Sequence, residues 1–133
     1  MMGYARSNMT QEEFHERISG HFKGTDEQKQ AFLQRCRYMA GQYDDDEAFA
    51  KLNDALTKWE DERGGGQRNR VFYFALPPNV FVPVSHHLRK TCYADDGINR
   101  VVVEKPFGKD LETCSHMLKE MQSMWTCLLY TSL

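Results

Sequence analysis

The sequence comprises 133 residues with 17 Lys and Arg against 19 Asp and Glu, a formal net charge of -2 and a hydrophobic content of 41%. This length fits one domain of ordinary size and leaves no room for two cores. The near balance of charges excludes a dedicated nucleic-acid binder, which needs an excess of positive charge, and the hydrophobic content excludes disorder as the default state.

Neither membrane insertion nor secretion is expected from the sequence. No window approaches the roughly 18 to 20 apolar residues of a membrane span, and the N-terminal residues lack the apolar core of a signal peptide. The 4 cysteines and 5 histidines do not follow the spacing of a disulfide framework, a CxxC site or an HExxH site. We therefore expect a cytoplasmic protein with reduced thiols and no metal, and with neither a membrane nor a nucleic acid among its partners.

The first half of the chain predicts three amphipathic helices. Thr10 begins a Ser/Thr-x-x-Glu capping pattern, and the helix after it is predicted to end near Gly24. Thr25 repeats the start signal, and the second helix is predicted to end by about Gly41. The acidic run Asp44–Glu47 suits the N-terminus of a third helix, and the alternative role for this run is binding of a metal or a basic partner. The apolar face of the second helix is predicted to carry Phe32, Leu33, Cys36 and Met39.

The second half of the chain alternates strands with helices. Gly64–Gly66 lacks the Lys-Ser/Thr sequel of a phosphate-binding loop and is interpreted as a flexible connection. Val71–Leu76 is a continuous apolar run, typical of a strand buried on both faces of a parallel sheet, and Val101–Val103 is a second strand of this kind. A helix is predicted between them from about residue 79 to 92, and Asp110 can cap the helix that follows.

The order of these elements defines the expected fold class. Strand, helix, strand and helix in succession give βαβ connectivity and predict an open parallel α/β sheet. Ligands of such sheets bind beyond the carboxyl ends of the strands. The segments to inspect are therefore those that follow a strand: Gly3–Ser7, Ala75–Pro78 and Glu104–Gly108.

These three segments and one further stretch lie in four motifs: Gly3-Tyr4-Ala5-Arg6-Ser7, Ala40-Gly41-Gln42-Tyr43-Asp44, Phe74-Ala75-Leu76-Pro77-Pro78 and Val103-Glu104-Lys105-Pro106-Phe107-Gly108. Their order and approximate spacing resemble the NADP-binding domain of the glucose-6-phosphate dehydrogenase family, from Gly3 to about Trp125. The resemblance implies a partial Rossmann-type, doubly wound parallel sheet with flanking helices in residues 1–125. It also implies that the family's first strand and Gly-rich turn are missing, and that residues 126–133 are a divergent, spurious or disordered tail.

The resemblance implies an NADP-dependent oxidoreductase that oxidises glucose 6-phosphate to 6-phosphogluconolactone in the pentose phosphate pathway. The parent enzyme is expected to be a homo-oligomer. The family's Gly-rich turn, sugar-phosphate segment and histidine base fall outside this sequence, so the 133 residues alone are expected to be inactive. Two alternatives stay open: another NADP-dependent sugar-phosphate or sugar dehydrogenase, and a non-catalytic truncated product that interacts at most through exposed strand edges.

The resemblance assigns Arg6 and Ser7 to the cofactor. The end of the second strand of a Rossmann sheet meets the adenosine ribose, where an arginine accommodates the 2′-phosphate of NADP. The planar guanidinium suits this task because it donates paired hydrogen bonds to phosphate oxygens. The alternative for Arg6 is a solvated arginine on the surface.

The turn after the first apolar strand is implied to contact the nicotinamide half of the cofactor. Its residues Ala75, Leu76 and Pro77 are cofactor-binding by resemblance, since proline keeps the backbone rigid and removes amides that compete for polar contacts. Many family members have tyrosine where this sequence has Phe81, so only packing against the cofactor carries over to Phe81. The alternative for Phe81 is an ordinary core residue.

Lys105 is implied to be the catalytic residue that positions substrate and cofactor, and it therefore counts as a ligand of both. An ammonium at the carboxyl end of a strand can reach a sugar hydroxyl and the cofactor together. The family's next proline follows a cis peptide bond, which is expected here for Pro106. The alternative at this strand end is an ion pair between Glu104 and a neighbour. His86 and His87 point about 100 degrees apart on a helix and are not expected to act together.

Overall fold

The computed structural model describes residues 1–125 and 127–130 of the chain. The length predicts a single core, whereas the contacts divide the chain into two compact units, Met1–Asp45 and Asp46–Leu133. Each unit has its own sheet of parallel strands, β1 with β2 in the first unit and β3, β4 and β5 in the second. The chain has two units rather than one core because, among the described residues, strands pair only with strands of the same unit.

The first unit is a two-stranded parallel sheet with two helices. Its elements are β1 (Met2–Ala5), α1 (Gln11–Ser19), α2 (Asp26–Leu33) and β2 (Arg37–Ala40). The strands pair in parallel from Met2 opposite Arg37 to Ala5 opposite Ala40. Its buried hydrophobic side chains are Phe14, Leu33 and Cys36.

The two helix starts in this unit follow the predicted capping pattern. The side chains of Thr10 and Thr25 each accept a hydrogen bond from the third helical residue, and that residue's side chain accepts one in return. The prediction that the second helix extends to about Gly41 is wrong, because the chain leaves the helix after Leu33 and forms β2. The Gln11 amide holds the β2 backbone in this extended form through hydrogen bonds of 2.6 and 3.1 Å to the carbonyl and N–H of Tyr38.

The second unit contains three parallel strands and three helices. Its elements are α3 (Asp46–Glu62), β3 (Arg70–Phe74), a short 3₁₀ turn (Pro78–Val80), α4 (Phe81–Thr91), β4 (Asn99–Val103), α5 (Leu111–Met124) and β5 (Cys127–Tyr130). β4 lies between β3 and β5 and pairs in parallel with both. The predicted parallel α/β class is therefore confirmed. None of the helices in the described part of the chain is long and apolar enough to cross a membrane.

The strands of this sheet are buried on one face only within the described residues. Phe74, Val101 and Val103 are buried, whereas Val71 is 61% exposed and Tyr73 is 54% exposed. Successive side chains of a strand point to opposite faces, so this alternation separates a core face from an open face. The expectation of burial on both faces is wrong because α4 and α5 contribute their buried side chains to one core, which includes Phe81 and Met121.

The connections of the second unit follow the sequence more closely. Gly64–Gly66 separates α3 from β3, and all three glycines have positive φ angles of 108°, 62° and 92°. Asp110 caps α5 as predicted, with its side chain accepting a hydrogen bond of 2.8 Å from the N–H of Thr113.

The last strand lies within residues 126–133. Cys127–Tyr130 form β5, which pairs with β4 from Arg100 opposite Cys127 to Val103 opposite Tyr130. An apolar run of this length can add a strand to the edge of a sheet. Thr126 and residues 131–133 lie outside the described residues. The spurious origin of the tail stays a prediction.

Candidate functional site

In the first unit, Arg6 and Ser7 follow the carboxyl end of β1 and are exposed. The guanidinium carbon of Arg6 lies 5.3 Å from the ring centroid of Tyr43, which comes shortly after β2. A guanidinium on an aromatic face keeps its N–H groups at the rim of the ring, where they can still donate. No described carboxylate forms an ion pair with Arg6, so its donors are available to an external anion.

Hydrogen bonds hold the backbone around Arg6. The hydroxyl of Tyr38 donates to the carbonyl of Ala5, at 3.3 Å, and to the carbonyl of Ser7. The N–H of Gly41 donates to the Ala5 carbonyl at 2.9 Å. These contacts connect the turn after β1 to Tyr38 of β2 and to Gly41, the residue that follows β2. They fix the direction in which the chain leaves the sheet at Arg6.

A close approach of Tyr4 explains the glycine at position 41. The Tyr4 hydroxyl donates to the carbonyl of Gln42 at 2.7 Å. A Cβ atom built on Gly41 would lie 2.2 Å from the Tyr4 hydroxyl oxygen, far inside van der Waals contact. Any side chain at position 41 would therefore displace Tyr4 and disturb the end of β1.

A depression of about 490 Å³ also lies in the first unit. It is lined by Ser7, Asn8, Met9, Glu13, Glu16 and Arg17. Two carboxylates and one guanidinium give its lining a net negative charge, which disfavours a phosphate. Arg6 is not part of this lining. The depression therefore does not serve as the anion site that the sequence predicts for Arg6.

In the second unit, the turn after β3 begins with Ala75, Leu76 and Pro77. Ala75 and Pro77 are exposed, and Leu76 is half-buried. The Pro77 carbonyl accepts a hydrogen bond of 3.1 Å from the N–H of Val80, which closes the short 3₁₀ turn before α4. The turn thus presents a rigid, largely apolar surface at the carboxyl end of β3.

Phe81 lies inside the core of the second unit. Its side chain is 0% exposed, and its ring centroid lies 5.7 Å from that of Phe74 at an angle of 50°. A ring with no exposed surface cannot contact a bound molecule without a rearrangement of the core. This packing favours the core interpretation of Phe81 over the cofactor contact.

Lys105 follows the carboxyl end of β4 and is exposed. Within the described ranges its ammonium has no ion-pair partner. The peptide bond between Lys105 and Pro106 is cis, the geometry that the resemblance implies for Pro106. The ammonium is thus available to a ligand at the end of the sheet where α/β proteins bind their ligands.

Glu104 has a different partner from the one that the alternative interpretation required. Its Oε1 atom accepts a hydrogen bond from the hydroxyl of Tyr73, and no described cation forms an ion pair with it. The hydrogen bond to the Glu104 carboxylate raises the pKa of Tyr73. The phenol therefore stays protonated around neutral pH and remains a donor.

Arg70 is a polar residue of the second unit that the sequence did not single out. It is only 6% exposed, and its guanidinium donates to Glu60 Oε1 at 2.9 Å, Asn53 Oδ1 at 2.7 Å, the Cys92 carbonyl at 2.7 Å and Thr57 Oγ1 at 3.1 Å. These partners connect the start of β3 to α3 and to the end of α4. The signal in the sequence that could have identified Arg70 is a positively charged residue at the first position of an otherwise apolar strand.

His87 and the acidic run are connected through Asp46. Its carboxylate lies 2.6 Å from Nδ1 of His87 and accepts a hydrogen bond of 2.6 Å from Nζ of Lys90. These contacts lower the pKa of Asp46, and the hydrogen bond from Lys90 contributes most to this effect. His87 also stacks on Phe49 at 5.2 Å. His87 thus joins α4 to the start of α3, and no group of three or more potential metal ligands occurs among the described residues.

Parallel strands joined through helices, with polar or proline-rich turns at their carboxyl ends, define the class of nucleotide-binding α/β domains. The family model "Glucose-6-phosphate dehydrogenase, NAD binding domain" matches residues 1–127. The chain belongs to this family. The predicted resemblance and the predicted Rossmann-like fold are therefore confirmed.

Individual relatives agree with this assignment. The chain is 43% identical over 129 residues to glucose-6-phosphate 1-dehydrogenase of Aspergillus niger, covering 94% of this chain and 25% of the relative. It is 40% identical over 131 residues to the Schizosaccharomyces pombe protein of the same name, covering 94% of this chain and 26% of that relative. The chain thus spans about a quarter of the length of these curated relatives.

Solved structures give the same result for the fold. A structure described as glucose-6-phosphate dehydrogenase in complex with its substrate glucose-6-phosphate superposes with a TM-score of 0.92 at 33% identity, covering 98% of this chain and 28% of that one. Glucose-6-phosphate 1-dehydrogenase from Mycobacterium avium superposes with a TM-score of 0.77 at 21% identity over 98% of this chain and 28% of its own, and supports the fold alone.

Proposed function

We propose that this chain is the coenzyme-binding part of a glucose-6-phosphate dehydrogenase, which oxidises C1 of glucose 6-phosphate to the lactone with NADP as oxidant. The observation that carries the proposal is the exposed Lys105 ammonium, which lies beyond the carboxyl end of β4 without an ion-pair partner among the described residues. An unpaired cation at this edge of a parallel sheet suits a phosphorylated or polyhydroxylated ligand.

NADP is proposed as the cofactor because of the donor set at the end of β1. The Arg6 guanidinium is exposed and lies on the Tyr43 ring, and the Ser7 hydroxyl follows it. A guanidinium with free paired donors fits a phosphate monoester, whereas the ribose of NAD is met by a carboxylate in folds of this kind. These two residues would hold the 2′-phosphate of the adenosine ribose.

The second unit is proposed to bind the reacting parts of cofactor and substrate. Ala75, Leu76 and Pro77 would provide a rigid apolar surface to the cofactor, and Lys105 would orient the sugar hydroxyl toward it. The nicotinamide, when bound, accepts the hydride. Phe81 would support this surface from the core rather than contact the cofactor. We also propose, from the family resemblance, a cytoplasmic location and a homo-oligomeric parent enzyme.

A chimaera tests this function. The aligned residues of this chain replace the matching segment of the Aspergillus niger relative, and NADPH formation from glucose 6-phosphate is followed by absorbance. We expect activity in the chimaera and a loss of about 100-fold or more in Lys105→Ala, because positioning contributes several kcal/mol to such reactions. Lys109→Ala, a change of another exposed lysine in the same segment, is the matched control and should retain activity.

The 133-residue chain alone, measured beside the chimaera, is expected to be inactive because it spans about a quarter of its relatives. A folded chimaera that forms no NADPH would contradict the proposal and favour a non-catalytic interaction role. Oxidation of a different sugar in preference to glucose 6-phosphate would favour another sugar dehydrogenase.

A further inference from the structure

Tyr73 and Glu104 lie on the open face of the sheet in the second unit. Tyr73 is opposite Val102 in the register of β3 and β4, and Glu104 follows Val102 by two residues. Neighbouring strands lie close enough for a side chain of one strand to reach a residue just beyond the end of the other, so the phenol can reach the carboxylate. Tyr73 is 54% exposed, yet its hydroxyl is engaged by Glu104 Oε1.

Glu104 directly precedes Lys105. β4 ends at Val103, so the alternation of a strand does not keep the side chains of Glu104 and Lys105 apart. Both side chains are long enough for their charged ends to meet, and opposite charges at neighbouring positions attract. In the described structure neither is in an ion pair, and the carboxylate accepts a hydrogen bond from the phenol of the neighbouring strand.

We propose that Tyr73 is a positioning residue that holds the Glu104 carboxylate on the open face of the sheet and thereby keeps the adjacent Lys105 ammonium free for a ligand. The inference rests on the proposed function, in which Lys105 binds substrate and cofactor. Tyr73 does not touch the ligand in this scheme, since its hydroxyl donates to Glu104. A phenol has an ordinary pKa of about 10 and is therefore a donor throughout the neutral range, and the hydrogen bond to Glu104 raises the pKa of Tyr73 further.

The test measures the reactivity of Lys105 in the 133-residue chain without any ligand. Trace labelling with acetic anhydride, quantified by peptide mass spectrometry, reports how readily each lysine reacts as a free amine, and Lys109 is the internal reference. In Tyr73→Phe the released carboxylate should pair with Lys105 and lower its labelling about threefold, since a nearby opposite charge favours the protonated amine. Glu104→Gln should not lower it, and the double variant should return to the wild-type value.

Unchanged labelling of Lys105 in Tyr73→Phe would overturn the proposal. Reduced labelling of Lys105 that persists in the double variant would also overturn it, because Tyr73 would then not act through Glu104. A second measurement does not depend on the folding of Tyr73→Phe. Titration of the Tyr73 phenol by carbon NMR should give a lower pKa in Glu104→Gln than in the wild type, and an identical titration would exclude the hydrogen bond. An inactive chimaera contradicts only the proposed function, since neither measurement uses substrate or cofactor.

Discussion

Arg6 and Arg70 show how the surroundings of a guanidinium decide its use. Arg6 is exposed on the ring of Tyr43, and the described residues offer it no carboxylate. Arg70 is buried and donates to four acceptors, three in α3 and one at the end of α4. The first side chain can bind an external anion, whereas the second has its donors committed to the protein. Loss of the two residues should therefore affect different properties.

Arg6→Ala should weaken NADP binding about 10- to 100-fold and leave NAD binding nearly unchanged, because a charge-assisted hydrogen bond to phosphate contributes about 1.5 to 3 kcal/mol. The dissociation constants of both cofactors are measured with the chimaera. Arg17→Ala, which removes another exposed arginine of the first unit, is the control. An equal loss for both cofactors would show that Arg6 does not read the 2′-phosphate.

Arg70→Ala should lower the free energy of unfolding by about 2 to 4 kcal/mol, because several buried or half-buried acceptors lose their donor. Urea denaturation of the 133-residue chain measures this. Arg68→Ala is the comparison for a less buried arginine, since the Arg68 side chain is 34% exposed and lies 3.4 Å from Asp61 and 3.9 Å from Glu60, and it should cost less than about 1 kcal/mol. Similar losses in both variants would show that burial does not set the contribution of Arg70.

At the scale of elements, the capping patterns were the most informative parts of the sequence. Thr10, Thr25 and Asp110 each begin a helix, because a side chain that satisfies free amides acts locally and needs no other part of the fold. β2 was missed for the opposite reason. Its residues pair with β1, which is far away in sequence. The spacing of Cys36 and Met39 also fits the apolar face of a helix, although Cys36 lies just before β2 and Met39 lies within it. The Tyr73–Glu104 contact likewise depends on the register of two strands.

The cap of α5 should make the stability of the second unit depend on pH. Hydrogen bonds from Thr113 lower the pKa of Asp110 below its ordinary 3.8. The unfolded chain therefore takes up this proton at a higher pH than the folded chain, so the contribution of Asp110 is complete above about pH 4 and is lost as the pH falls through the folded pKa. The melting temperature followed by circular dichroism should fall less steeply below pH 4 in Asp110→Asn, which keeps a capping oxygen. Parallel curves for the variant and the wild type would contradict this role of the carboxylate.

At the scale of the whole molecule, the two units differ in how much core they contain. The buried hydrophobic residues of Met1–Asp45 are Phe14, Leu33 and Cys36, whereas the second unit buries side chains from three helices and two strands. Chains of about 40 residues rarely fold without disulfides, metals or partners. The small unit is therefore expected to depend on the rest of the protein for its stability.

Expressing the units separately tests this difference. Residues 46–133 should show a cooperative thermal transition, and residues 1–45 should show none, because their core is too small to offset the loss of chain entropy. Circular dichroism and calorimetry of both fragments provide the measurement, with the 133-residue chain as reference. A cooperative transition in residues 1–45 would contradict the expectation, as would its absence in residues 46–133.

The glycine run between α3 and β3 has a practical consequence for experiments on this protein. Gly64–Gly66 adopt positive φ angles, and a Cβ atom built on any of them would meet no other atom within 4 Å. Substitution there strains the backbone but displaces nothing, whereas added residues lengthen the loop at small entropic cost. The run is therefore a natural place to insert a fluorescent reporter or an affinity tag, outside the segments that contain Arg6 and Lys105.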